Sequence, residues 1–442
     1  MNCRAKTLYP FLVLTSIFFA NSAIADAPSE QSVSWNRISS TKIEIEDFSS
    51  GQGQILSTYP RILQTLLNEV FGWEPDKQPK ISTPPVIERN TTFFMQELMQ
   101  NLSIKFDLSD TQHFRKVWFH LKPDLKVRGL FGIQDFQKKR PLIIIRMGIH
   151  GNVDEVLAER FLAKVVYEDL GANFLLLENL TSYAFVSQNQ NLSFGGIDEG
   201  LQTFLILNEI TKINSPFKNL LSDIHLIGLS MGGTGTFVTA LLDQSNGKKI
   251  KSIVDFCPLI NLEKTFDAHA QTGISQALID LWNARRLNTV FDRYPKEMKD
   301  SQWWKTIFDL KPRFTPALLD ILNRDRKQPL TSVADVEAEV KTMKWPKGFS
   351  EHLQNSKSFY ELNDFWPLYQ GVTTPISIVV TPKDPLVINE FNSEMIYTKK
   401  QPGDFTSVNY HIYDRGIHCG FSPVYQWSYV VDLVRKGLAL TP

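Results

Sequence analysis

The stretch Ile224-His225-Leu226-Ile227-Gly228-Leu229-Ser230-Met231-Gly232-Gly233 decides how the rest of this 442-residue chain is read. A short apolar run leads into a G-x-S-x-G pattern, and the amphipathic stretch from Met231 to Leu242 leads out of it, so Ser230 should stand on a strand-to-helix turn. Such a turn holds a hydroxyl above the carboxyl edge of a sheet in a strained backbone conformation. Glycine on either side removes the Cβ clashes that would forbid so sharp a bend. The helix behind the serine offers unpaired N–H groups and partial positive charge to an oxyanion.

Outward from this turn the chain alternates short apolar runs with longer amphipathic ones, the pattern of a mostly parallel sheet covered by helices on both faces. Eight strands are expected: Val117 to Leu121 and Val127 to Gly132 as a hairpin, then Leu142 to Met147, Asn173 to Leu177, Ile224 to Gly228, Ile253 to Phe256, Ile376 to Val380 and Val408 to Tyr413. Helical patterns lie between them at Val153 to Leu170, Glu199 to Ile213, Met231 to Leu242 and Val424 to Leu438. The sixth and seventh strands are separated by about 120 residues, far beyond a usual crossover, so residues 262–372 are expected to be a helical cap inserted in the core. This insertion is rich in aromatics, among them Trp282, Trp303, Trp345, Phe349, Phe365 and Trp366, each more readily explained by core packing than by ligand contact. The core then comprises residues 117–261 and 373–442.

The amino terminus has the pattern of an export signal over residues 1–25: basic Arg4 and Lys6, an apolar run from Leu8 to Ala20, and small residues at Ala23 and Ala25, with a mature start at Asp26. The run is shorter than the ~20 apolar residues that span a bilayer, so no stable membrane span is expected after cleavage. Cys3 precedes the run and is not placed for lipid attachment. The expected location is secreted or periplasmic. Residues 26–116 form an N-terminal extension, with helical stretches at Thr58 to Phe71 and Thr92 to Leu102 and a proline-rich link.

Composition excludes several classes. Lys+Arg 47 balances Asp+Glu 47, which removes an overall electrostatic case for nucleic-acid binding. Three cysteines are too few for a disulfide scaffold and wrongly spaced for structural zinc; no metal site, cofactor fingerprint or P-loop is present. Sequons stand at Asn90, Asn101, Asn179 and Asn191.

A serine hydroxyl needs a base, and the base usually needs an acid behind it. In this strand-turn-helix class the chain order is serine, acid, histidine, with the histidine after the last strand. Of eight histidines four follow Ser230; His269 and His352 fall in the insertion and His411 inside the last strand, which leaves His418. The acid should follow the seventh strand, where Asp384 stands between two prolines; Asp255, at the end of the sixth strand, is the competitor. The oxyanion donors are expected to be the main-chain N–H groups of Met231 and of Asn152, in the loop after the third strand, with His150 bracing that loop. Cys257 and Cys419 fall near strand carboxyl ends two strands apart, so they are either two buried thiols or, if the loops lean together, a bridge.

Gly228-Leu229-Ser230-Met231-Gly232-Gly233, His150-Gly151-Asn152, Asp384-Pro385-Leu386 and His418-Cys419-Gly420-Phe421 resemble, in order, the nucleophile elbow, oxyanion loop, acid loop and histidine loop of the α/β-hydrolase superfamily. The resemblance runs from Val117 to the carboxyl terminus. Phe194-Gly195-Gly196-Ile197-Asp198-Glu199 and Gly348-Phe349 are similar to its serine esterase/lipase-like branch, whereas Leu180-Thr181-Ser182 stands where that branch often has an arginine-glycine pair. The resemblance implies a carboxylic-ester hydrolase working through an acyl-enzyme, with Ser230, Asp384 and His418 as its triad and a small-molecule or lipid ester as substrate. Peptidase, thioesterase, acyltransferase and non-catalytic binding module are the alternatives on the same fold.

Overall fold

A computed structural model describes residues 35, 42–46, 81–82, 113–122, 125–149, 151–153, 162–189, 195–269, 344–356, 359–381, 384, 386–398, 407–413, 418–419 and 427–440. The expected export signal, the helical stretches at Thr58 to Phe71 and Thr92 to Leu102, the sequons at Asn90, Asn101 and Asn191, His150 and residues 270–343 of the expected cap lie outside these residues.

Long apolar runs make long strands. The strands are β1 (Ile43–Ile45), β2 (Ile81–Ser82), β3 (Phe114–Lys122), β4 (Leu125–Gly132), β5 (Arg140–Arg146), β6 (Asn173–Leu177), β7 (Leu221–Leu229), β8 (Ile250–Phe256), β9 (Ile376–Val380) and β10 (Val408–Tyr413). They form one sheet in the order β1-β3-β4-β6-β5-β7-β8-β9-β10-β2. Six neighbours from β6 to β10 run parallel, and β4, β3 and β1 continue antiparallel on one side.

The expectation of eight strands needs correction: among the described residues the sheet has ten. The two additional strands come from the N-terminal extension, β1 pairing antiparallel with β3 and β2 antiparallel with β10, so the extension covers both edges. At three and two residues they are too short to show the alternation by which a strand is read from sequence.

Helices α1 (Tyr183–Asn189), α2 (Gly196–Thr211), α3 (Met231–Asn246), α4 (Leu262–His269), α5 (Lys347–Asn355), α6 (Phe359–Leu362), α7 (Ser393–Thr398) and α8 (Trp427–Gly437) accompany the sheet. Alternate strand residues point to opposite faces, and each face has its own core. Leu142 and Ile144 of β5, Leu226 of β7 and Ile376 and Ile378 of β9 join Leu201 and Phe204 of α2 and Phe237 and Leu241 of α3. Ile143 and Ile145, Ile227, Val254 and Val379 join Val430, Val431 and Val434 of α8 on the other side. This double burial is why the central strands read as unbroken apolar runs.

The trailing part of the stretch expected to form the cap is packed into the first of these cores, through Phe349, Leu353, Phe365, Leu368 and Tyr369. The Tyr369 ring stacks on Phe237 of α3, centroids 3.8 Å apart and planes 2° from parallel. Among the described residues no helix is long and apolar enough to cross a membrane. Because Phe237 is fully buried between the sheet and that ring, Phe237→Ala should lower stability by about 3–5 kcal/mol, read as a shift in the urea denaturation midpoint.

Candidate active site

Strand β7 ends at Leu229 and α3 begins at Met231, so the turn between them is the single residue Ser230, at φ 54° and ψ −120°. A non-glycine residue there stores roughly 1–3 kcal/mol of strain and persists only where its surroundings over-determine it. They do so here. The Ser230 N–H donates to the Phe256 carbonyl at 2.9 Å, and its own carbonyl accepts from the N–H groups of Gly233 at 3.0 Å and Leu259 at 3.2 Å. A Cβ on Gly228 would lie 2.4 Å from the Gly233 Cα, and one on Gly232 would lie 2.2 Å from the Arg146 carbonyl oxygen, so the flanking glycines are required by close approach. Met231 opens α3, where the first N–H groups have no acceptor within the helix.

The loop after β5 closes over the serine. A Cβ on Gly148 would stand 3.3 Å from the Ser230 Cβ, so Gly148 abuts the serine. Asn152, the donor expected from sequence, is a buried residue past the turn closed by the Gly151 N–H on the Gly148 carbonyl. Gly148 was legible only as the first glycine after the Leu142 to Met147 run, on the strand next to β7. The end of β6 anchors the loop: the Asn179 N–H donates to the Gly151 carbonyl at 2.9 Å and the Val153 N–H to Glu178 Oε1 at 2.9 Å. Asn179 is only 1% exposed and its amide donates to Glu199, so this sequon lies in the interior rather than on a glycan-accessible surface.

Glu199 and Arg146 form a fully buried ion pair beneath the loop, Nε to Oε2 at 3.5 Å. Burial pushes the Glu199 carboxyl up to about 7 against the opposing pull of Arg146 and Asn179, and burial lowers the Arg146 guanidinium against Glu199.

At the other end of the carboxyl edge, His418 Nδ1 lies 2.9 Å from both Asp384 oxygens. The acid side chain is 1% exposed and the imidazole 30%. Three main-chain N–H groups orient the carboxylate: Leu386 and Val387 donate to Oδ1 at 2.8 and 2.9 Å, and Cys419 donates to Oδ2 at 2.9 Å. The structure therefore pairs two of the residues chosen from sequence. Other histidines are occupied elsewhere: His225 with the Ser252 hydroxyl at 2.8 Å, and His352 with the Leu362 carbonyl at 3.0 Å.

The competitor Asp255 has a different place. It sits behind the elbow, fully buried, accepting the Thr236 hydroxyl at 2.5 Å. Burial pushes its carboxyl up to about 8, so near neutrality it holds a proton and is a poor anionic partner for an imidazolium.

Cys257 and Cys419 form a disulfide with Cα atoms 4.7 Å apart. The reason they meet is local: β8 runs on so that the Cys257 N–H bonds the Val379 carbonyl of β9 at 2.7 Å, and Cys419 Sγ reaches the Phe256 carbonyl at 3.5 Å. With Asp384 and His418 they bring ligand atoms within 4.8 Å of one another. Disulfide sulfurs offer no thiolate, so this donor set does not suit a metal.

The parallel run of strands, the serine between β7 and α3, and an acid after β9 in contact with a histidine after β10 are together decisive. The fold is that of the α/β-hydrolases. No family model matches the sequence, and no curated protein matches it. Among solved structures the chain is similar to an esterase of Pyrococcus furiosus, at TM-score 0.43 and 15% identity over 82% of this chain and 98% of that one. It is also similar to acetyl xylan esterase 1 of Thermoanaerobacterium sp. JW/SL YS485, at 0.40 and 13% over 88% and 96%. An acylaminoacyl peptidase of Pyrococcus horikoshii gives 0.42 and 11%, over 77% of this chain and 45% of that one.

Two outcomes follow from this geometry. A methyl group on residue 148 meets Ser230 at a distance that forces a shift of a few tenths of an ångström, so Gly148→Ala should lower turnover about tenfold while leaving the melting temperature little changed, as measured by steady-state assay and thermal melt. For Asp255, the unfolded chain releases the proton near 3.8 and the folded chain near 8. Between those values the folded state holds the extra proton, so this group erodes stability as pH rises through the window. Asp255→Asn should therefore melt higher than wild type at about pH 8, with the gap closing towards about pH 4.

Proposed function

We propose that the chain is an exported serine hydrolase that cleaves a carboxylic ester, acyl and lipid esters included, through a covalent acyl-enzyme. The observation that carries this reading is the contact of His418 Nδ1 with the Asp384 carboxylate at 2.9 Å, on the same sheet edge as a serine held at positive φ. With Nδ1 on the carboxylate, Nε2 is the nitrogen that takes a proton from a hydroxyl.

In the first half-reaction Ser230 Oγ bonds to the ester carbonyl carbon as its proton passes to His418 Nε2. The resulting oxyanion lies at the start of α3, where the Met231 N–H is one donor and the loop after β5 supplies the second. Collapse breaks the bond to the alcohol oxygen, which leaves with the proton from His418. Water then repeats the sequence on the acyl-enzyme: His418 takes its proton, the acid departs and Ser230 recovers its hydrogen. Asp384 keeps the imidazole in the tautomer that faces the serine and stabilises its protonated form. The amino-terminal pattern supports export, and so does the Cys257–Cys419 bridge, since disulfides persist in oxidising compartments.

The test is a panel of acyl esters of graded chain length, thioesters and aminoacyl substrates, with a fluorophosphonate probe for the nucleophile. Wild type should hydrolyse esters and take the label; Ser230→Ala should do neither. Asp384→Asn should reduce kcat by on the order of 10⁴-fold with KM little changed. Unchanged hydrolysis in Ser230→Ala would overturn the mechanism, and turnover confined to aminoacyl substrates would replace esterase with peptidase.

A further inference from the structure

Backbone strain among the described residues is concentrated at one place. Five non-glycine residues have positive φ, and three of them are Ser230 at 54°, Cys257 at 44° and Cys419 at 62°. Strain of this kind gathers where surrounding structure holds a site in a demanding geometry. The other two, Lys248 and Ala439, follow helix ends, where such a conformation is ordinary.

The two cysteines touch every part of the triad or the backbone that fixes it. Cys257 Sγ lies 3.7 Å from His418 Nδ1. The Cys419 N–H donates to Asp384 Oδ2 at 2.9 Å, and Cys419 directly follows the histidine. Cys419 Sγ lies 3.5 Å from the Phe256 carbonyl, the group that accepts the Ser230 N–H. One S–S bond thus ties the histidine loop to the end of β8, which in turn holds the nucleophile. The His418 side chain is 30% exposed, and His418 comes after β10, the sheet's last parallel strand.

We propose that the Cys257–Cys419 disulfide is a positioning element of the active site, setting the reach of His418 towards Ser230, rather than a staple of the domain. This rests on the triad reading above. Both cysteines belong to the second core, but most of its other members come from strands and helices spread over that face of the sheet, whereas Asp384 and His418 are in direct contact with the cysteine pair. Breaking the bond should therefore leave the fold standing and let the histidine drift. A displacement of about 1 Å at a reacting group costs about 100-fold in rate.

The step that breaks it is thiol–disulfide exchange with a dithiol. The dithiol gives two electrons and two protons, the S–S bond opens to two cysteine thiols, and the dithiol closes to its own cyclic disulfide. The experiment compares oxidised full-length protein with two bridge-free forms, one treated with dithiothreitol and one carrying Cys257→Ala and Cys419→Ala. Thiols are counted by maleimide mass shift, and fold is followed by circular dichroism and thermal melt. Well below their melting temperatures, both bridge-free forms should lose kcat by about 100-fold with KM nearly unchanged. Fluorophosphonate labelling of Ser230 should slow in parallel, and reoxidation of the reduced form should restore it.

Full kcat in a folded bridge-free form would overturn the proposal, as would loss of the fold in either form, since the bridge would then serve the whole domain. Resistance of the bridge to dithiothreitol leaves the decision to the double variant. Absence of Ser230 labelling in the oxidised protein is the separate result that sinks the triad reading itself.

Discussion

Everything at the carboxyl edge of this sheet depends on one residue being held where its backbone would not rest by itself. Ser230 adopts a left-handed φ because a strand must become a helix within one residue, and three main-chain hydrogen bonds keep it there. The close approaches follow from that turn. Gly228 and Gly233 meet across it, Gly232 lies against the Arg146 carbonyl, and Gly148 meets the serine from the neighbouring strand. Each is a place where a side chain would lift the elbow off the sheet. The placement of the Ser230 side chain at this edge is thus a property of backbone packing, and the hydroxyl is only its last atom.

What could be read in the sequence, and what could not, divides along the range of the forces involved. The strands from β3 to β10 announce themselves because both faces of the sheet are covered, so burial leaves unbroken apolar runs such as Leu142 to Ile145 and Leu175 to Leu177. The elbow is legible because glycine, serine and glycine must be adjacent in the chain. Asp384 and His418 are legible through chain order, a topological constraint. Strands β1 and β2 are not: their stabilisation comes from edge pairing, which leaves no local pattern in three or two residues. Gly148 escaped notice because its significance is a contact with a residue 82 positions away, and the disulfide could not be decided because its partners are 162 residues apart. The expected export signal and most of the expected cap lie outside the described residues.

The interior around the elbow is unusually polar for a core. Arg146, Glu199, Asn179 and Glu178 are all buried below the loop that abuts the serine, and Asp255 with Thr236 lies behind it. None of these was chosen from sequence as part of one cluster, since α2 reads as an ordinary amphipathic helix and Arg146 as the end of an apolar strand. Buried charge contributes little net stability once desolvation is counted, and removing one partner is expensive. The gain is orientational: Asn179 donates to the Met147 and Gly151 carbonyls and Glu178 accepts from the Val153 N–H, which fixes the main chain at those three residues, where apolar packing alone would leave it free to slide.

The edge pairing has a kinetic corollary. Residue 82 finds its partner at residue 412, so one flank of the sheet stays open until nearly the whole polypeptide has been made and has collapsed. Contacts of such long sequence separation form late and slowly. During that interval β10 presents an unsatisfied row of amides and carbonyls that another chain could occupy. The N-terminal segment waits through synthesis as the intramolecular competitor for that row, and the concentration at which it wins sets how crowded the nascent protein can be before copies begin to stick together.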